Sequence, residues 1–495
     1  MSANFYARIA HTLRNQPAQT LLTWPAAAPG EAAPSEVTSD RTPAAETYSG
    51  ADIAAFVAEI RQRLTAAGVR PGQRVLLLVP VSYELVGALL GVLAHGAVAV
   101  LPPARATARQ LLGLARRGDV VAALVPRQPG FGLALLARCF GLRLVPARRP
   151  APGSIPPNLE QAPQPVPPTQ PALITHTSGS TGAPKQIVRT HQVLGAQSAV
   201  LAAIFPPGPG QRDFPLFPNV LLHNLATGTA SVLPQVSWAD ISAFDPALVV
   251  AQLLREQVHT LTGNAFYFQR LLPVLSQQPG GLPTVQALGV GGSPVPEWLV
   301  HALQAVFPNA TVYVIYGSSE AEPIAVRPLG PVPANPALGY LVGPVHSSLE
   351  LRLEPLGELT LPGDARAEVG EILVRGPHVA SPAPGGWLRT GDFGYLRADG
   401  QLCLTGRQGN ETIRHGTQHY QLEHVLQHLP GVERVAARPG ATGFAVHIQG
   451  TAAEAAVRTA LALHFPAAAC TAVHFRAHLP VDARHHSKIR YSELP

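Results

Sequence analysis

Nine consecutive residues, Thr177-Ser178-Gly179-Ser180-Thr181-Gly182-Ala183-Pro184-Lys185, gather four hydroxyls, two glycines and a lysine into one short segment. Glycine lets backbone N–H groups come close to an anion, the hydroxyls donate further hydrogen bonds, and the ammonium supplies charge. Together they suit a phosphate. The segment is not a Walker loop, whose GxxxxGK[ST] spacing is absent: Pro184 precedes Lys185 and Gln186 follows it. A plain Ser/Thr/Gly linker is the alternative, and so dense a run of donors argues against it. A second signal is scarcity. Of 36 Lys plus Arg residues only Lys185 and Lys488 are lysine, and all the others are arginine. A compact ammonium on a flexible stem moves between oxygens as a point charge, whereas a guanidinium imposes a planar fork. One of the two lysines sits in the phosphate-type loop and the other near the C-terminus.

Such residues need a scaffold to hold them. The loop follows the apolar Ala172-Leu173-Ile174, which reads as a strand, and precedes a helix beginning at His191. Upstream, helical periodicity at 51–67, 83–95 and 110–117 alternates with strand runs at 74–81, 97–101 and 120–125. That alternation predicts α/β layering over a parallel sheet. Residues 149–171 are Pro-rich and read as a loop or stiff connector. The alternation resumes after 172, with strands at 285–290 and 311–315. Short strands at 349–353, 371–374 and 401–405, punctuated by Gly-Pro and Asp-Gly turns, predict antiparallel hairpins. A compact segment follows Gly406-Arg407, with an amphipathic helix at 423–428 and apolar strands, and reads as a small separate domain. The apolar stretch 85–101 contains His95 and Gly96 and ends at Pro102-Pro103, so helix, turn and strand describe it better than a membrane span.

Composition agrees with a large core. The 495 residues are 46% apolar and only 13% charged, and the 45 Gly and 51 Pro stay below the level of low-complexity chains. The net charge of +6 is scattered arginine without a basic stripe or interleaved aromatics, which argues against a nucleic-acid partner. Cys139, Cys403 and Cys470 lie far apart, with neither a CxxC pair nor disulfide-like density. The first 24 residues are broken by Arg8, His11, Arg14 and Asn15, so they lack the apolar core of a signal peptide. A reduced, cytoplasmic protein is the expectation.

From the nine-residue loop onward, the order of motifs resembles the adenylate-forming superfamily of acyl-CoA synthetases, luciferases and peptide-synthetase adenylation domains. Tyr316-Gly317-Ser318-Ser319-Glu320 is similar to the family's Tyr-Gly-x-Thr-Glu. Thr390-Gly391-Asp392 matches its Thr-Gly-Asp, Gly406-Arg407 stands where it has Gly-Arg, and Lys488-Ile489 matches its closing lysine motif. The resemblance implies an α/β fold with a large multi-subdomain N-terminal region, residues 1–406, and a small mobile α+β C-terminal domain, residues 407–495. It implies that Thr177, Ser178, Gly179, Ser180, Thr181, Gly182 and Lys185 hold the β- and γ-phosphates of ATP, and that Gly291, Gly292 and Ser293 form the loop beside adenine. Tyr316 and Gly317 would lie against the adenine, Ser319 would touch the α-phosphate and Glu320 would coordinate Mg2+. Asp392 would accept from the ribose hydroxyls, Arg407 would hold the ribose, and Lys488 would bridge carboxylate and α-phosphate. Each of these residues alone has a bland reading, as core aromatic, turn residue or surface charge. Their ordered set carries the weight.

The chain also departs from the family. Pro218 replaces the histidine of the substrate loop at 214–218, Ser319 replaces threonine, Gly409 replaces the charged hinge residue, and the tail reads His486-Ser487-Lys488. These departures, with the tail 480–489, the stretch 316–323 and Gly416-Thr417-Gln418-His419-Tyr420, resemble the olefin β-lactone synthetases. In that subgroup a long-chain β-hydroxy acid is adenylated and its own hydroxyl displaces AMP, with no CoA needed. The expected substrate is a medium- or long-chain carboxylic acid, with Phe217, Val220, Leu221 and Leu222 as candidates for an apolar channel. His485 and His486, in a chain with 19 histidines, are read as incidental. The alternatives are a fatty acyl-CoA ligase with CoA as acceptor, a non-catalytic nucleotide-binding scaffold, and a phosphotransferase that shares only the loop.

Overall fold

The computed structural model describes residues 4–25, 45–103, 106–117, 120–126, 137, 141–150, 161–177, 185–216, 218–238, 241–278, 280–331, 334–383, 385–482 and 488–494. The chain forms two compact units, residues 1–234 and 235–495. The first carries α1 (Tyr6–Asn15), β1 (Thr20–Trp24), β2 (Glu46–Ser49), α2 (Gly50–Ala66), β3 (Arg74–Leu77), α3 (Tyr83–Ala94), β4 (Val98–Val100), α4 (Ala108–Arg117), β5 (Val120–Val125) and β6 (Arg143–Pro146). It continues with β7 (Pro171–Thr177), β8 (Lys185–Thr190), α5 (His191–Ile204), β9 (Arg212–Pro215), α6 (Pro218–Thr227) and β10 (Ala230–Val232). Strands run in the order β6-β5-β3-β4-β7-β8, all parallel except β8, which pairs antiparallel with β7.

Local chemistry accounts for these elements. Ser49 caps α2 through the Asp52 backbone N–H, while the Asp52 side chain accepts from the Ser49 N–H at 2.8 Å. Ile53, Phe56, Val57, Ile60 and Leu64 then form its buried stripe. Helix α3 packs on that stripe through Gly87 and Gly91, where a Cβ would come within 2.3 Å of the Phe56 ring and 2.4 Å of Ile60. The apolar stretch at 85–101 is thus the buried helix, turn and strand that its Gly and Pro residues predict. Among the described residues no helix is long and apolar enough to cross a membrane.

The second unit holds α7 (Pro246–Glu256), β11 (Thr260–Asn264), α8 (Ala265–Leu275), β12 (Ala287–Gly291), α9 (Glu297–Val306), β13 (Thr311–Ser318) and β14 (Ala321–Pro328). Strands β11, β12 and β13 are parallel and in register, Asn264 beside Gly291 and Gly291 beside Ile315. An antiparallel sheet follows from β15 (Tyr340–Pro344), β16 (Glu350–Thr360), β17 (Arg366–Arg375), β18 (Leu388–Leu396) and β19 (Gln401–Arg407), ordered β15-β19-β18-β17-β16. These are the hairpins read from the turn residues. The chain ends with α10 (His419–Gln427), β20 (Val432–Pro439), β21 (Phe444–Gly450), α11 (Glu454–His464) and β22 (Cys470–Arg476). A core of Leu422, Leu426, Phe444, Val446, Ile448 and Val457 joins α10 and α11 to this last sheet.

Candidate active site

Parallel strands present their C-terminal ends as ligand-binding crevices. In the second unit those ends belong to β12 and β13. Gly291 ends β12, where a Cβ would press within 2.5 Å of the Ile315 carbonyl oxygen, and Gly292 follows with a left-handed φ of 77°. Only glycine fits such a turn without strain. A cavity opens there, of about 150 Å³, and its walls include Gly292, Ser293, Tyr316, Gly317, Asp392, Arg407 and Lys488. Seven residues predicted from sequence therefore share one cavity. Gly291 lies one residue outside its wall.

The polar centre is set by register. Asp392 on β18 and Arg407 on β19 are direct cross-strand partners, so the hairpin itself brings the carboxylate against the guanidinium. Arg407 donates to Asp392 Oδ1, while the Tyr316 hydroxyl donates to Oδ2 at 3.0 Å. Asp392 is held from its own backbone as well, its N–H bonding the Thr390 hydroxyl at 3.1 Å. The adjacent carboxylate holds Arg407 above the usual arginine range. Burial, with Asp392 beside it, raises the Tyr316 phenol well above its ordinary value, so it remains a donor. Each carboxylate oxygen of Asp392 retains acceptor capacity for a further hydroxyl.

Lys488 stands in the same wall on a narrow antiparallel ribbon. Val481 bridges Ile489, the Asp482 N–H bonds the Lys488 carbonyl at 2.9 Å, and the Lys488 N–H bonds Asp482 Oδ1 at 2.9 Å. Although the side chain opens to solvent along the cavity, its pKa is lowered by surrounding protein and then by Arg407. Asp392, Asp482 and Glu320 act in the opposite sense. Glu320 and Ser319 lie on the tight turn between β13 and β14, outside the cavity wall, with the Glu320 N–H on Ser318 Oγ at 3.3 Å and its carbonyl accepting from Ala380 at 2.6 Å. Among the described residues no cluster of three His, Cys, Asp or Glu side chains could hold a metal alone. A single carboxylate such as Glu320 nevertheless suits Mg2+, which takes one or two carboxylates and completes its shell with phosphate oxygens and water.

The glycine-rich loop belongs to the first unit. Residues 178–184, and with them Ser178, Gly179, Ser180, Thr181 and Gly182, lie outside the described residues. Their flanks are clear: Thr177 pairs with Lys185 across the antiparallel β7–β8 ladder. The predicted helix does start at His191, but a strand, β8, separates it from the loop. Val220 and Leu222 are buried on α6, Leu221 is half-buried and Phe217 lies outside the described residues, as do His485 and His486.

Sequence reasoning overlooked a second layer of the site. Tyr340, Tyr420, Glu423 and Tyr491 also line the cavity. The N-cap residue Gln418 is fully buried, accepting from the Thr405 hydroxyl and donating to the Glu411 carbonyl, both at 2.6 Å. It thereby pins both sides of the segment after Arg407. The run Gly416-Thr417-Gln418-His419-Tyr420 was the only sequence signal for this layer.

Comparison with known proteins agrees with this geometry. The AMP-binding enzyme family matches over residues 23–382. The chain is 32% identical over 368 residues to an olefin beta-lactone synthetase of Stenotrophomonas maltophilia (strain K279a), covering 65% of this chain and 66% of that protein, just under two thirds of its length. It is 29% identical over 404 residues to a feruloyl-CoA synthase of Amycolatopsis sp, covering 78% of this chain and 79% of that one. The O-succinylbenzoate coenzyme A synthetase of Bacillus subtilis, in complex with AMP, shares the fold with a TM-score of 0.73 at 18% identity, covering 100% of this chain and 98% of that one.

Proposed function

This chain belongs to the AMP-binding enzyme family, and from that premise we propose that it activates a β-hydroxy fatty acid with ATP and then closes it to a β-lactone. In the first step a carboxylate oxygen attacks the α-phosphorus, the bond to the β-phosphate breaks, and pyrophosphate leaves an acyl-adenylate. In the second the substrate's own hydroxyl attacks the acyl carbonyl, the bond to AMP breaks, and the hydroxyl proton departs with the AMP leaving group. The observation that carries the reading is the single cavity in which Tyr316, Asp392, Arg407 and Lys488 meet at the C-terminal ends of parallel strands.

Each residue has a task in this scheme. The attack brings an anion onto a triphosphate, and each like-charge pair at 4 Å costs roughly 4 kcal/mol at an effective dielectric of 20. Lys488 offsets that charge at the carboxylate and α-phosphate, with Ser319 donating beside it. Thr177, Ser178, Gly179, Ser180, Thr181, Gly182 and Lys185 hold the outer phosphates, Asp392 and Arg407 hold the ribose, and Gly291, Gly292, Ser293, Tyr316 and Gly317 frame the adenine. Glu320 would hold the Mg2+ that enters with ATP, whose charge screens the phosphates. The cavity of about 150 Å³ is smaller than the roughly 300–1,000 Å³ of ordinary ligand pockets. Both sides of Gly409 contribute to its walls, so residues 407–495, as a lid domain turning at Gly409, would widen it.

The lactone product is favoured by the identity to the olefin beta-lactone synthetase and by the tail at 480–489. An intramolecular hydroxyl has a large proximity advantage. The second reading, an acyl-CoA ligase, is favoured by the longer match to the feruloyl-CoA synthase. Incubation with β-hydroxy acids of graded length, ATP and Mg2+, with and without CoA, decides between them. Lactone and AMP without CoA are expected. A thioester without lactone would establish the ligase, and no AMP from any acid would leave a nucleotide-binding scaffold.

A further inference from the structure

Glu423, in the middle of α10, is 3% exposed, and three partners surround its carboxylate. Oε1 accepts from the Ala437 backbone N–H at 2.8 Å and from His419 Nδ1 at 3.0 Å. The Tyr491 hydroxyl lies 3.0 Å from Oε1 and 2.9 Å from Oε2 and donates to the carboxylate. His419, 0% exposed, has its other ring nitrogen, Nε2, accepting from the Arg407 backbone N–H at 3.1 Å. A ring nitrogen that accepts from a backbone N–H carries no proton, so the His419 proton sits on Nδ1 and points at Glu423. One buried carboxylate therefore ties Arg407, which pairs with Asp392, to Tyr491, three residues beyond Lys488.

Elsewhere the tail is held by the Leu479 N–H on Gln449 Oε1 at 2.9 Å and by Arg438 Nη1 on the Leu494 carbonyl at 2.5 Å, neither of them in this wall. Among the described residues, Val481 pairs with Ile489, Asp482 with Lys488 and Pro480 with Arg490 across the ribbon, and Ile489 and Leu494 add apolar contact against Ala436. Such contact is non-directional and does not fix the ribbon's position along its own length. The Tyr491–Glu423 and Arg438–Leu494 bonds are directional and charge-assisted and do fix it, and of the two only Tyr491–Glu423 lies in the cavity wall.

We propose that Glu423 is a positioning residue for the adenylation step, registering the Lys488 tail against the Asp392–Arg407 pair through Tyr491 and His419. The proposal rests on the acid-activating function above. Loosening the anchor displaces Lys488 from the charge that develops when carboxylate meets triphosphate. The second step involves no triphosphate and depends less on that alignment.

The test uses the full chain. Pyrophosphate release is measured in a single turnover at saturating ATP for wild type, Tyr491→Phe, Glu423→Gln and the double variant. AMP release from synthetic acyl-adenylate is measured in parallel. Tyr491→Phe is expected to slow pyrophosphate release about tenfold, roughly 1.4 kcal/mol at the transition state, with KM for ATP within about twofold and the adenylate-started step unchanged. The double variant should be no slower than the slower single variant, because both remove one linkage. Equal loss in both steps together with a lowered Tm would make Glu423 structural support only. A raised KM with an unaltered rate would assign the linkage to ATP binding, and unaltered rates throughout would remove it. Tyr491→Phe keeps the buried carboxylate's other donors, so it decides the matter if Glu423→Gln fails to fold. A wild-type chain that releases no pyrophosphate with any acid would instead overturn the function itself, and the proposal with it.

Discussion

Asp392 owes its place to one strand pairing, and its neighbours show what its loss would do. With Arg407 opposite and the Tyr316 hydroxyl on its second oxygen, Asp392→Asn would keep the shape but lose the charge that organises both. Hydrogen bonds to charged groups are worth about 1.5–3 kcal/mol. We therefore expect KM for ATP to rise by about tenfold or more, with a smaller change in kcat, measured by initial-rate AMP formation. Lys488 makes the converse prediction. Lys488→Ala should cut adenylation by about 10²–10³-fold, the usual loss of a transition-state donor, while nucleotide binding measured by calorimetry persists. Unchanged rates would exclude Lys488 from the chemistry. Since crowding and Arg407 lower its pKa, the alkaline limb of kcat/KM should fall below the usual lysine value of about 10.4. Arg407→Gln, which removes one lowering influence, should move that limb upward.

At the scale of elements, the sequence was most readable where the pattern is local. Strand 120–125 has the bounds its apolar run predicts, and the hairpins between 350 and 407 follow their Gly and Asp-Gly turns. Helix α10 was read only in part. It begins at His419, but His419–Leu426 are all buried, so no polar face marks the helix against its surroundings. Strand β8 was hidden because a short edge strand beside a glycine-rich loop looks like the approach to the next helix. Of the site, the residue types were legible and their partners were not. Register between β18 and β19 and burial of Glu423 are products of long-range packing, and a lone Glu in a helix reads as a solvated charge. Gly409 carries the element-scale prediction. Its φ is 88° and nothing lies within 4 Å of a Cβ placed there, so Gly409→Ala costs backbone strain alone, about 1–2 kcal/mol. If the lid turns there, steady-state turnover should fall more than either half-reaction in a single turnover. Equal effects would place the pivot elsewhere.

Across the whole molecule the distribution of histidine has a consequence that the net charge of +6 conceals. His191 and His223 in the first unit and His424 in the second are almost fully buried. Burial lowers their pKa values, to about 4 for His191 and His223 and to about 3 for His424. The bonding agrees with neutral rings. His191 Nδ1 accepts from the Phe5 N–H at 3.1 Å, and His424 Nε2 from the Glu297 N–H at 3.2 Å while its Nδ1 faces the Gly339 carbonyl. Unfolding returns each ring to a pKa near 6.5, so below that pH the unfolded chain binds more protons than the folded one. The stability these groups support is present above pH 6.5 and is lost as pH falls toward 3–4. Each ring can contribute up to about 1.4 kcal/mol per pH unit in that interval. Thermal unfolding followed from pH 7.5 to 4.5 should therefore show Tm falling steadily on the acid side. His424→Gln lowers Tm at neutral pH by removing a buried acceptor, yet should flatten the acid-side slope, since glutamine does not titrate. Parallel curves for wild type and variant would mean that His424 is protonated in the folded chain, against the geometry of its two hydrogen bonds.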